Sequence, residues 1–284
     1  MITLAIQKAG RLNERTIQLL KECGIIFSNG GTSKLRSESS DFPIRILYLR
    51  DDDIPECIAD RIADIGIVGE NVFYEKNRPG RIIERLGFAK CRLSIAVSKQ
   101  SEFSGLADLQ GLSIATSYPG ILKRFLEENQ IKAEIHEISG SVEVAPGIGL
   151  AQAIFDIVNT GSTLLANGLK EVYTVLKSEA VLIAGEELDA AKQKLLNQLV
   201  FRMRAVNAAR SRKYILLNAS NDSIAKICEI LPGMKSPTIM PLAISGWSSI
   251  HSVIEETEFW ERIEALKAAG AQGILVIPIE KMIV

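Results

Sequence analysis

The sequence predicts an α/β body followed by a small α+β domain, and three observations carry that expectation. Short apolar β runs alternate with helix-period segments through the first two-thirds of the chain. Turn and cap residues punctuate the changes of period, among them Gly24, Pro55, Pro119 and Gly270. The last 75 or so residues then change rhythm to β-α-β-β-α-β, a ferredoxin-like unit.

In chain order, residues 3–7 read as a strand, and Asn13 as the cap of a helix with Ile17, Leu19, Leu20 and Cys23 inward, closed at Gly24. Residues 44–49, 64–69 and 91–97 read as strands, with a short helix over 53–61 carrying Pro55 in its first turn. A second block opens with a strand over 112–115. Ser117 then caps a helix with Pro119 in its first turn and Leu122, Phe125 and Leu126 inward. Strands follow at 132–138, 153–158, 172–176 and 180–184; the run over 153–158 is apolar enough for a sheet centre. Leu188, Leu195, Leu196, Leu199, Met203 and Val206 give 186–210 the period of one long helix. The terminal unit takes a strand over 214–217 and a helix over 222–231 closed by Pro232-Gly233. A Ser/Pro-rich strand pair within 238–254, a helix over 258–269 and a strand over 273–279 complete it.

The 284 residues, at ~150 per domain, allow about two domains with an extensive core. With 33 basic and 34 acidic residues the net charge is -1, so no global field draws the chain to nucleic acid or an anionic membrane. Residues 1–10 lack the basic region and apolar run of a secretory signal. The longest charge-free stretch, 236–254, is broken by Pro237, Pro241 and Gly246. A cytoplasmic protein is expected. Cys23, Cys57, Cys91 and Cys228 form no Cys-x-x-Cys pair, which leaves them as buried thiols rather than zinc or redox ligands. His136 and His251, the two histidines, sit on strand-like segments with no nucleophile motif nearby and read as solvated strand residues.

Two constellations could carry chemistry. In Phe155-Asp-Ile-Val-Asn-Thr-Gly-Ser-Thr-Leu164 an apolar strand ends at an acid and runs through Asn159, Thr160, Gly161, Ser162 and Thr163 into a helical pattern. Such a segment makes an anion cradle: glycine permits the tight turn, successive N–H groups converge, and hydroxyls add donors. It is equally compatible with an ordinary capped strand–turn–helix. The second constellation is a set of charged strand ends, in Gln7-Lys-Ala-Gly-Arg-Leu12, Arg50-Asp-Asp-Asp-Ile-Pro55 and Gly66-Ile-Val-Gly-Glu-Asn71. Ligands of α/β sheets sit at carboxyl ends of strands, and three loops of both signs suit a polyanionic substrate with a metal. No P-loop, dinucleotide-binding or kinase motif occurs.

Together with Cys91-Arg-Leu-Ser94, Ala115-Thr-Ser-Tyr-Pro119, Gly140-Ser-Val-Glu-Val-Ala-Pro146, Ser236-Pro-Thr-Ile-Met-Pro241 and Pro278-Ile-Glu-Lys-Met282, these segments resemble one family in the same order. The chain is similar to the ATP phosphoribosyltransferases, in their long, self-regulated form. The stretch 27–41, with Gly30-Gly31, matches least.

The resemblance implies a two-lobed body like periplasmic binding proteins: lobe I over 1–92 completed by 176–210, lobe II over 93–175, and a regulatory domain over 211–284. It implies attack of ATP N1 on C1′ of phosphoribosyl pyrophosphate, with Mg²⁺ as cofactor and pyrophosphate leaving. Carried over residue by residue, Asp156 would bind the ribose hydroxyls and Asn159, Thr160, Gly161, Ser162 and Thr163 the 5′-phosphate. Lys8 and Arg11 would join Asp156 in catalysis, while Gly10, Arg11, Leu12, Arg50, Glu70 and Glu143 would receive ATP. By their place at strand ends, rather than by the resemblance, Asn218 and Thr238 are expected to contact free histidine as inhibitor, and the same domain would hold a homo-oligomer, dimer to hexamer. One departure from the wider phosphoribosyltransferase pattern is that Ile157, rather than a second acid, follows Asp156. The alternative function is a bilobed small-molecule-binding or effector-sensing protein. It would call for an export signal or a basic helix-turn-helix, and the sequence offers neither.

Overall fold

The computed structural model describes residues 1–27, 35–231 and 233–283, which form two compact units, Met1–Gln198 and Leu199–Val284. The first opens with β1 (Ile2–Gln7), α1 (Arg11–Glu22), β2 (Arg36–Glu38), β3 (Ile44–Leu49), α2 (Ile54–Ala59), β4 (Ile65–Gly69), α3 (Glu70–Lys76) and β5 (Arg81–Arg85). The chain continues through β6 (Cys91–Ser98), β7 (Ser113–Thr116), α4 (Pro119–Glu128), β8 (Glu134–Glu137), β9 (Ala153–Val158), α5 (Ser162–Ala166) and β10 (Leu169–Ser178). It then returns as β11 (Ala180–Ala184) and α6 (Ala190–Arg210), within which the second unit begins.

Among the described residues this unit holds two sheets, ordered β2-β3-β1-β4-β11-β5 and β10-β6-β9-β7-β8. The chain crosses between them twice, at β5–β6 and at β10–β11, which makes the two-lobed arrangement of the periplasmic-binding-protein type. In the first sheet β3, β1 and β4 run parallel, and in the second β9, β7 and β8 do, so each lobe gathers its carboxyl strand ends on one edge.

Strand β9 is the middle strand of its sheet, and its composition says why. Ala153 and Phe155 enter one buried cluster with Leu93, Ile114 and Leu122, whereas Ile154 and Val158 enter another with Val142 and Leu164. A strand covered on both faces has no use for polar alternation. In the first lobe, Ile54 and Ile58 of α2 pack on Ala5, Val68 and Val181. A Cβ on Gly66 would lie 2.6 Å from Ile54 Cγ2 and 2.8 Å from Ile58 Cδ1, so α2 approaches β4 as closely as the missing side chain allows. Gly66→Ala is expected to destabilise by about 1–3 kcal/mol through overpacking, read as a lowered urea midpoint; an unchanged midpoint would refute the close approach.

Several sequence expectations need correction. Asn13 is not a cap: α1 starts at Arg11 behind Gly10, and Asn13 Nδ2 donates to the Gln7 carbonyl at 2.6 Å, tying strand to helix. Ser117 does not cap α4 either; its hydroxyl donates to Ile138 O at 2.7 Å. The first turn of α4 is capped by Glu75, whose carboxylate receives the N–H groups of Gly120 and Ile121 at 2.7 and 2.8 Å. Helix α6 begins at Ala190 rather than 186 because Asp189 Oδ1 accepts from Lys192 N at 2.8 Å, an N-cap. Strands β2 and β5 and helix α3 are further elements that the sequence reading does not include. Cys23 is buried, but Cys57, Cys91 and Cys228 are only half-buried; all four are free thiols. No helix among the described residues is long and apolar enough to cross a membrane.

The second unit contains β12 (Arg212–Ser220), α7 (Ile224–Ile230), β13 (Thr238–Pro241), β14 (Trp247–Glu255), α8 (Glu256–Ala268) and β15 (Gln272–Pro278). Its sheet order, β13-β14-β12-β15, with every neighbour antiparallel, is the ferredoxin-like one. Ile215 and Leu217 pack with Ile250, Ile254, Phe259 and Leu266 under the helices. The opposite face carries Tyr214, Leu216, Asn218, Ser249 and His251, of which Ser249 is buried and the others half-buried. The expected closing residue Pro232 lies outside the described residues.

Candidate functional site

The site is built from the two carboxyl edges of the first unit. On the first lobe, Lys8 N donates to Leu49 O at 2.7 Å, extending the β1–β3 ladder by one step and setting Lys8 beside Arg50. Gly10 turns the chain into α1, which begins with Arg11 and the half-buried Leu12. Lys8, Arg11 and Arg50 are exposed, and none has a carboxylate partner among the described residues. They share that edge with Asp51, Asp52 and Asp53 of the turn after β3, so it carries both signs and suits a polyanion brought with a cation.

On the second lobe, β9 ends at Asp156–Val158 and turns through 159–163. Gly161 lies in the left-handed region (φ 80°, ψ -1°) at the start of α5. Thr160 Oγ1 and Ser162 Oγ share a hydrogen bond of 2.9 Å, while Asn159, Thr160, Ser162 and Thr163 stay exposed. Asp156 is half-buried, and Oδ1 accepts from the Ile157 N–H at 2.8 Å. Burial, and then the nearby charge of Glu143, raise its pKa above the usual aspartate range, against the lowering effect of that N–H. Glu143 sits on the short turn that follows β8.

Between the edges stand Asn71 and Tyr118, which the sequence shows only within longer motifs, and Ser178, which no motif contains. Asn71 Nδ2 donates to the Tyr118 hydroxyl at 3.2 Å, and Ser178 bonds both the backbone and the side chain of Asn71. Burial, then Asp156, push the Tyr118 phenol well above its ordinary range; Asp51 adds to the effect. Carboxylates of both lobes thus face one tyrosine. Glu70 differs from its expected place: it is buried, and its carboxylate is taken by the Arg85 guanidinium. With Arg85, Lys90, Arg92, Lys177 and Asn159 it lines a cavity of about 440 Å³ beside the turn of 159–163. A larger cavity of about 540 Å³ lies at the opposite edge of the first lobe, beside Asp64 and Arg61. It contains none of the expected residues, and four of its charges are spent in pairs, Lys192–Asp64 at 2.8 Å and Arg61–Glu187 at 3.3 Å, while Asp189 caps α6.

The residues expected to meet histidine lie in the second unit. Thr238 stands opposite His251, and Asn218 opposite Ser249, so both flank β14 on the sheet face away from the helices. His251 is not simply solvated: its Nδ1 meets the Tyr214 hydroxyl at 2.7 Å and its Nε2 the Ser249 hydroxyl at 3.0 Å.

Fold and site define a class: a two-lobed α/β protein whose facing strand ends, one charged with both signs and one hydroxyl-rich, are built for a phosphorylated ligand. Known proteins make the class particular. The family model described as ATP phosphoribosyltransferase matches residues 50–205, and that described as HisG, C-terminal domain matches 209–281. The ATP phosphoribosyltransferase of Cytophaga hutchinsonii is 57% identical over 283 residues, spanning 100% of this chain and 99% of the relative. That of Phocaeicola vulgatus is 56% identical over 285 residues, spanning 100% of both. Among solved structures, the ATP phosphoribosyl transferase (HisG:HisZ) complex from Thermotoga maritima aligns with a TM-score of 0.61 and 28% identity. That alignment covers 72% of this chain and 99% of that one. The chain belongs to the ATP phosphoribosyltransferase family.

Proposed function

We propose that this enzyme transfers the phosphoribosyl group of phosphoribosyl pyrophosphate to N1 of ATP, releasing pyrophosphate, in the first step of histidine biosynthesis. The observation that carries the assignment is the pairing of one edge, charged with both signs, with a left-handed, hydroxyl-lined turn and a half-buried Asp156 on the other. Asp156 accepts the ribose hydroxyls, and the turn of 159–163 receives the 5′-phosphate. Lys8 and Arg11 draw off the negative charge of the leaving pyrophosphate. Gly10, Leu12, Arg50 and Glu143 receive ATP, and Glu70 acts there through Arg85.

Adenine N1 carries its own lone pair, so no side-chain base is called for. The transition state has oxocarbenium character, and the residues position and neutralise rather than bond covalently. Among the described residues no three His, Cys, Asp or Glu side chains converge as a metal cage. Mg²⁺ carried on the substrate phosphates would supply charge neutralisation there, with Asp156 and Glu143 as the carboxylates that would face it.

Lobe I then comprises 1–92 completed by 176–198, lobe II 93–175, and the regulatory domain is taken from Leu199, where the second unit begins, rather than from 211, in a cytoplasmic homo-oligomer between dimer and hexamer. Free histidine binds the face of the terminal sheet away from the helices through Asn218 and Thr238 and acts by its different affinities for active and inhibited assemblies. Mixing the protein with ATP, phosphoribosyl pyrophosphate and Mg²⁺ should release pyrophosphate; no release overturns the assignment.

The histidine site has its own test. Asn218→Ala and Thr238→Ala should each raise the half-inhibiting histidine concentration at least about tenfold, the scale of one hydrogen bond to a charged ligand. The histidine-free kcat/KM should stay at the wild-type value. Point variants serve better than truncation after Arg210, because the second unit begins at Leu199. Unchanged inhibition in both variants places the sensor elsewhere.

A further inference from the structure

We propose that Arg92 is a positioning residue for phosphoribosyl pyrophosphate: fixed by Glu171, it ties back the carbonyl of Asn159 and so turns the N–H groups of Thr160, Gly161 and Thr163 toward the 5′-phosphate. The proposal rests on the phosphate role given above to that turn.

Three bonds define the clamp. Arg92 Nε and Nη2 donate to the two carboxylate oxygens of Glu171, each at 2.6 Å, and Nη1 donates to Asn159 O at 2.8 Å. Glu171 is itself held from its far side by the Ser94 hydroxyl at 2.8 Å and the Thr174 hydroxyl at 3.2 Å. Ser94 is buried, and strand β10 changes register after Glu171, where its side chain meets β6. Arg92 and these donors hold the Glu171 carboxyl down to about 2, so the pair stays ionised throughout the working range.

An anchor is needed because the turn has little of its own. Its internal side-chain bonds are the one Thr160 Oγ1 shares with Ser162 Oγ at 2.9 Å and the one it accepts from the Ser162 N–H at 3.4 Å, and Gly161 at the N-cap of α5 has no side chain to add another. A backbone carbonyl left free at Asn159 could point at the phosphate and repel it. A planar guanidinium can grip a carboxylate with two N–H groups and still spare a third for that carbonyl, which an ammonium cannot do in one geometry. The Arg92 charge is matched by Glu171, which makes it a holder of the turn rather than the phosphate's own counter-ion.

The test compares Arg92→Lys and Glu171→Gln with the wild-type protein, using ribose 5-phosphate in titration calorimetry and both substrates in steady-state kinetics. Arg92→Lys should weaken ribose 5-phosphate at least tenfold and raise KM for phosphoribosyl pyrophosphate by a similar factor. KM for ATP should move less than twofold. Glu171→Gln should shift the same two quantities in the same direction by a smaller factor. A merely structural role would move both KM values together with the melting temperature, and that result overturns the proposal. Unchanged ribose 5-phosphate affinity in Arg92→Lys also overturns it; if that variant does not fold, unchanged affinity in Glu171→Gln does so. Wild-type protein that fails to bind ribose 5-phosphate overturns the role of the turn itself, and the clamp with it.

Discussion

Gly161→Val is expected to abolish phosphoribosyl pyrophosphate binding in a chain that still folds. The reason is conformational rather than steric. A Cβ at Gly161 would meet nothing nearer than Val158 Cγ1 at 3.9 Å, an ordinary contact, so the protein has room for it. The backbone does not: φ is 80°, where an L-residue costs about 1–2 kcal/mol and a β-branched one is an outlier. Returning φ to negative values swings neighbouring N–H groups out of the concavity, and each bond lost to a charged oxygen costs about 1.5–3 kcal/mol. Together these exceed a hundredfold in affinity. Titration calorimetry beside a circular-dichroism melt decides: a folded variant with wild-type affinity removes the turn from the site.

Asp156→Asn should lower activity while raising stability. Loss of a charged acceptor for the ribose hydroxyls costs about 1.5–3 kcal/mol, or ~10–150-fold in kcat/KM. The stability effect follows from the raised pKa, caused first by burial and then by Glu143. A carboxyl whose folded pKa exceeds its unfolded value of ~3.9 binds its proton more tightly when folded. Its contribution is fully present below that pH and is lost as pH rises through the folded value. At neutral pH the ionised wild-type side chain is therefore a burden that Asn removes. The variant should melt higher at pH 7, with the gap closing as both forms become neutral in acid. A variant that loses activity yet melts alike at both pH values would refute the burial cost.

The sequence was most legible where burial and composition coincide. The apolar run over 153–158 announced a central strand and is one, while 44–49 and 180–184 match their strands to the residue. Strand β5 escaped because Arg81, Glu84 and Arg85 break any apolar period; its partner is the wholly buried β11 rather than a core of its own. The misplaced caps share a cause. A local rule looks for Ser or Asn next to a helix, but here the first turn of α4 is satisfied by Glu75, 45 residues before Gly120. The site was legible as motif and illegible as network. Lys8, Arg50, Asp156 and 159–163 stood out through residue type at strand ends, whereas Arg92 and Glu171, 79 positions apart, become partners only through the β6–β10 pairing.

That long-range cap bears on how the lobes can be recombined. Helix α4 belongs to the sheet of β6–β10, yet its first-turn donors are completed by an acid on α3, and Arg124 on the same helix reaches back to the Tyr74 carbonyl at 2.6 Å. The two halves of the catalytic body are consequently not interchangeable modules. A chimaera that grafts the second sheet onto a foreign first lobe inherits an uncapped helix and loses the line about which the halves are registered, unless 74–75 travel with it.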